Sequence, residues 1–226
     1  MANTMAALRC SDLWKTGSEL KALGEYSGPS TLEIPKLQKV LPRGLRRGTI
    51  HEIHGLRSSG RTSFCMHILA QATAAGEVCA VVDLFDSFDP LSASAAGVQL
   101  ERVVWVRCQG NAEHAIRTSD LLVHAGGFGV ICLDLCEAPP RALNRIPLSY
   151  WHRFRRAVEQ TPTLLLVCAD SPQAKSSQVN SLQAKLKAIS WVGKEPLCRF
   201  SGLEAYATPS KILSLQPPSL FLKSCA

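Results

Sequence analysis

No apolar run in the sequence approaches the roughly 20 residues that a membrane-spanning helix requires, so no helical span is expected. Between Met1 and Trp14 the only basic residue ahead of Asp12 is Arg9, and no apolar stretch of signal length follows. A secretory leader is therefore not expected either. There is no internal repeat and no low-complexity block. Nine cysteines are present, but none forms a C-x-x-C pair, and most sit inside apolar runs. That disfavours metal and disulfide roles and favours small buried hydrophobes in a reducing, cytoplasmic setting. The six histidines show no ligand spacing and receive no role.

What remains is an ordinary globular composition. The 226 residues are 46% hydrophobic and 19% charged, enough for one large domain with a sizeable core. Net charge is +7, with a sequence pI near 9.0. A basic balance favours an acidic partner such as nucleic acid, although the signal is modest.

The first 30 residues read as an arm with a short amphipathic helix over 12–23. Residues 31–48 read as a short helix and a glycine-rich turn rimmed by Lys36, Lys39, Arg43, Arg46 and Arg47. A regular alternation then begins. Apolar or alternating runs predict strands over 49–54, 78–84, 103–106, 129–135 and 163–168. Helical spacing predicts helices over 61–75, 90–96, 112–125 and 149–159, the first two closed by Gly76 and Gly97. Later segments, 182–191 and 198–206, fit strands at one sheet edge, and the tail from Gln216 is expected to be poorly ordered. Such alternation predicts an α/β core, with a mainly parallel central sheet flanked by helices.

Between the first strand and the first helix lies Gly55-Leu56-Arg57-Ser58-Ser59-Gly60-Arg61-Thr62-Ser63. A glycine-containing loop in this context gathers backbone N–H groups around a phosphate and adds the helix dipole. Gly55, Ser58, Ser59, Gly60, Arg61, Thr62 and Ser63 are thus candidates for holding a nucleotide. Thr62 would offer its hydroxyl to Mg²⁺. Arg61 stands where the usual pattern has lysine, and its planar fork fits a tight loop differently from a point charge. The competing reading is a purely structural strand–turn–helix.

These residues resemble the start of the RecA recombinase core. Gly48-Thr49-Ile50-His51-Glu52-Ile53-His54-Gly55 precedes the loop, and Ala80-Val81-Val82-Asp83, Phe88-Asp89-Pro90 and Ala96-Gly97-Val98 follow in the same order. Within that superfamily the chain is most similar to ImuA-type (SulA/RecA-like) proteins. The likeness rests on Gly60-Arg61-Thr62-Ser63, Asp86-Ser87-Phe88-Asp89-Pro90, Val104-Trp105-Val106-Arg107-Cys108, Ala125-Gly126-Gly127-Phe128-Gly129 and Arg145-Ile146-Pro147-Leu148. The resemblance implies a RecA-like P-loop core over 36–210, an arm over 1–35 and a tail over 211–226. It also implies ATP and Mg²⁺ as ligands, with Thr62 and Asp134 as the metal residues.

Position by position, the resemblance puts Phe85 where RecA carries the water-activating Glu, with Asp86 as a displaced alternative. Asp134 takes the Walker B place, which the strand order favours, with a strand-end Asp that caps a turn as the alternative. Asp170 stands where RecA has a γ-phosphate-sensing Gln, and it would repel phosphate unless a cation intervened. Arg61, Phe85 and Asp170 together imply weak hydrolysis or none.

DNA or partner contact is assigned to Arg141 and Arg145, in the loop after the Walker B strand, and to Arg153, Arg155 and Arg156. On the latter helix, basic and aromatic residues interleave as in surfaces that hold single strands. Equally, Trp151, Phe154 and Val158 fall on one helical face and would cover the sheet, leaving the arginines solvated. The implied function is a non-recombinase accessory role in DNA repair and damage-induced translesion mutagenesis. Its expected partners are translesion polymerase components, the cell's recombinase or single-stranded DNA. An active ATP-dependent recombinase is the alternative, and an unrelated P-loop kinase is a third.

Overall fold

The computed structural model describes residues 31–33, 44–159, 161–174, 179–192, 199–209 and 219–223; for 191, 199–209 and 219–223 it describes the backbone alone. The predicted arm helix, Lys36, Lys39 and Arg43 lie outside these residues. The chain runs β1 (Thr31–Leu32), β2 (Leu45–Arg46), β3 (Ile50–His54), α1 (Arg61–Ala74), β4 (Cys79–Asp83) and α2 (Pro90–Ala95). It continues with β5 (Val103–Arg107), α3 (Ala112–Ala125), β6 (Val130–Asp134), α4 (Pro140–Leu143), α5 (Leu148–Glu159) and β7 (Leu164–Ala169). Three strands close it: β8 (Asn180–Val192), β9 (Arg199–Pro209) and β10 (Ser219–Lys223).

Eight strands form one sheet in the order β10-β9-β8-β3-β7-β6-β4-β5. The six from β8 to β5 are mutually parallel, whereas β9 and β10 join antiparallel. Central strands are apolar on both sides because both sides are covered. On β7, Leu164, Leu166 and Cys168 pack in one core cluster with Phe64, Ile68 and Leu69 of α1. Leu165, Val167 and Ala169 pack on the other face with α3 and with Trp151, Phe154 and Val158 of α5. The fold is thus an α/β sandwich of helices around a six-strand parallel sheet. No helix among the described residues is long and apolar enough to cross a membrane.

Arg47 corrects the reading of a basic rim. It is 6% exposed, donates to the Gly129 carbonyl at 3.0 Å and pairs with Glu77, so it staples the N-terminal end of the sheet. The tail contributes an element the sequence pattern did not reveal, since β10 pairs with β9 over residues 219–223.

Candidate functional site

Parallel pairing brings the C-terminal ends of four strands into one row. Ile53 lies opposite Cys168, Cys168 opposite Asp134, and Asp134 opposite Asp83. Ligands of open α/β sheets bind along this edge, and the loop between β3 and α1 rises from it.

Two local features shape that loop. Gly55 is pressed so close to β8 that a Cβ there would come within 2.3 Å of the Ala184 carbonyl oxygen. Gly60, the residue before α1, has φ of 91°, a left-handed conformation natural to glycine. No side chain caps α1, which leaves its first N–H groups to a ligand or solvent. Ser59 is buried, and its hydroxyl finds no hydrogen-bond partner among the described residues. Ser58 and Thr62 are exposed and Ser63 is half-buried. The backbone is therefore suited to a phosphate.

The side chains are arranged differently from a phosphate-gripping set. Arg61 is buried and forms an ion pair with Asp170, just past the end of β7. Burial works against the charge on Arg61, but the hydrogen bond to Asp170 together with the attraction of Cys136, Cys168 and Asp170 outweighs it and holds the guanidinium protonated above its ordinary value. The second Asp170 oxygen accepts from the Glu137 backbone N–H at 3.2 Å. Glu137 in turn reaches Arg57 of the loop at 2.6 Å. Two of the three departures in the sequence are thus one contact, and the carboxylate expected to repel phosphate is neutralised by the arginine beside it.

Asp134 accepts from the Cys136 N–H at 2.9 Å and from the Ser87 hydroxyl at 2.8 Å. Burial pushes its carboxyl up to about 6. Asp83 is wholly buried and caps the following turn, accepting from the Ser87 and Phe88 N–H groups and the Trp105 indole. Phe85 and Asp86 do not face the loop as a catalytic pair. The Phe85 ring lies over Gly110. Asp86 is held by Arg107 through two hydrogen bonds of 2.8 Å, which keep its carboxyl below its usual range.

The proposed contact arginines are dispersed. Arg141 is exposed on α4. Arg145 lines a cavity of about 670 Å³ shared with Asn111, Glu113, Ile116 and Tyr150, on the sheet face opposite α1. On α5, Trp151, Phe154 and Val158 are buried as the sheet-covering reading requires. Arg153 bonds Asp120 of α3 at 2.6 Å and lies over the Tyr150 ring at 5.7 Å. Arg155 is half-buried and Arg156 exposed.

What the sequence concealed is a thiol array under α1. Cys136 and Cys168 approach to 3.3 Å between sulfurs, and Cys65 and Cys132 are buried in the same core cluster as both. These residues come from three elements and a turn, so no local spacing announced them.

Comparison with known proteins agrees with the row of strands. Residues 33–142 match the family model described as the RecA N-terminal domain. The chain is similar to Protein RecA of Laribacter hongkongensis, 37% identical over 95 residues, which is 42% of this chain and 27% of that protein. It is also similar to Protein RecA of Rhodospirillum rubrum, 41% identical over 95 residues, or 42% of this chain and 26% of that protein. The chain thus spans about a quarter of the length of these relatives. The likeness supports the RecA superfamily for this portion, which runs from just past β1 into α4.

Proposed function

We propose that the chain is a RecA-like accessory protein of DNA repair, one that cradles a nucleotide phosphate on residues 55–63 and hydrolyses it weakly or not at all. The observation that carries this reading is the Arg61–Asp170 ion pair. It removes the phosphate-facing cation and the phosphate sensor together, and it satisfies each with the other. Phe85 and Asp86 reinforce the reading, because neither an aromatic ring on Gly110 nor a carboxylate tied to Arg107 can take a proton from water.

Binding of ATP with Mg²⁺ remains compatible with the loop backbone. In this reading Thr62 and Asp134 hold the ion and Ser59 offers its free hydroxyl. The core is assigned to 36–210, in keeping with the ImuA-type likeness. The assigned role is damage-induced translesion mutagenesis, with translesion polymerase components or the recombinase as protein partners. Single-stranded DNA would meet the scattered face of Arg141, Arg145, Arg153, Arg155 and Arg156.

Phosphate release from ATP, measured with and without single-stranded DNA, tests the proposal. Release is expected to stay near background in both cases. Turnover well above background that disappears in Thr62→Ala would establish an active recombinase-like enzyme instead. Capture of polymerase components or recombinase from DNA-damaged cells tests the assigned partners.

A further inference from the structure

We infer that Asp134, Cys136 and Cys168 form a binding site for a thiophilic divalent cation, with Zn²⁺ as the occupant their chemistry selects. One ligand atom from each residue lies within 4.8 Å of the other two. The site is built by the backbone. Asp134 and Cys168 are register partners on β6 and β7. Past Asp134 the chain folds back, with the Leu135 N–H on the Cys168 carbonyl at 2.8 Å and the Cys136 N–H on the Asp134 carboxylate at 2.9 Å. Those two bonds set the Cys136 sulfur over that of Cys168. The Ser87 hydroxyl fixes the remaining Asp134 oxygen from outside, the kind of supporting contact that orients metal ligands.

Distances favour an ion over a covalent bridge. Tetrahedral zinc with sulfur bonds of about 2.3 Å spaces its sulfurs by about 3.8 Å. From the observed 3.3 Å the sulfurs need separate by only about 0.5 Å to reach it. A disulfide of about 2.0 Å requires them to close by about 1.3 Å. Ligand type favours the same conclusion. Mg²⁺ and Ca²⁺ take oxygen ligands, whereas two sulfurs and one carboxylate select zinc-like ions. Two thiolates and a carboxylate around a dication leave one excess negative charge. Three protein ligands leave one position for water or another oxygen. The site shares Asp134 with the Mg²⁺ proposed above, so the two ions compete for that carboxylate; the inference itself requires no nucleotide.

The test titrates the reduced, chelator-treated full chain with Co²⁺ alone and then displaces it with Zn²⁺. Stoichiometric thiolate-to-cobalt absorption, quenched by Zn²⁺, is expected. Cys136→Ser and Asp134→Asn, each confirmed as folded by circular dichroism, should weaken binding by at least about tenfold. Cys108→Ser, a buried thiol in the opposite core cluster, should leave it intact. Two variants guard against misfolding, because Cys136 sits in a turn and Asn preserves the shape of Asp134. The inference fails if no cobalt–thiolate absorption develops, or if it survives Cys136→Ser. It fails equally if the untreated protein is lighter by two hydrogens through a Cys136–Cys168 bridge.

Discussion

Arg61 exposes 7% of its side chain and faces an Asp170 side chain that is 42% exposed. Solvent on the Asp170 side screens such a pair and keeps it at the upper end of the range for surface bridges. A double-mutant cycle of Arg61→Ala and Asp170→Ala, read by urea denaturation, is expected to give a coupling of about 1 kcal/mol. His51 makes a pH-dependent contribution. It is 2% exposed on β3, and burial pushes its imidazole down from 6.5 to about 4. The neutral ring is therefore favoured in the fold. Its stabilising contribution is complete above pH 6.5 and is lost as pH falls through about 4. The full change amounts to about 3 kcal/mol. His51→Gln should flatten the stability profile between those limits, measured by denaturant titration at several pH values. At this scale the sequence disclosed unusual residues but not their partners. Arg61 and Asp170 are both conspicuous against the RecA pattern, yet they are 109 positions apart, and only the adjacency of β3 and β7 joins them. The cysteines were invisible as a group for the same reason.

On α5 the apolar face outweighs the basic one. Phe154 is fully buried and meets Trp151 edge-on at 5.8 Å between ring centroids. Phe154→Ala is expected to cost about 3–5 kcal/mol of stability, whereas Arg156→Ala on the exposed face should change it little; thermal unfolding of both variants checks the contrast. The periodicity of Trp151, Phe154 and Val158 made this helix legible, just as continuous apolar runs revealed β4, β6 and β7. Boundaries fall within a residue or two of those expected for β3 and α1. Elements too short to show a period were missed. β1 and β2 have two residues each, and α4 has four, started by Pro140 inside what read as loop.

For the molecule as a whole, alternation of strands and helices was enough to foresee a parallel sheet, but not its order. The order follows from crossovers, and β10 joins only through a partner strand whose own position had to be known. That strand predicts a solution property. Removing residues 211–226 strips β10 from the outer side of β9 and opens the edge at 202–206 that it now pairs. Such edges recruit other chains. The truncated protein should self-associate more than the intact one, measured by light scattering at matched concentration. The bridge between Arg57 and Glu137 has a different consequence. Both side chains are largely solvated, at 74% and 47% exposure, and a contact of that kind contributes about 1 kcal/mol or less. It is a latch that thermal motion releases many times over, and dissolved ions loosen it further. The tie between the 55–63 loop and the turn after β6 should accordingly slacken as ionic strength rises.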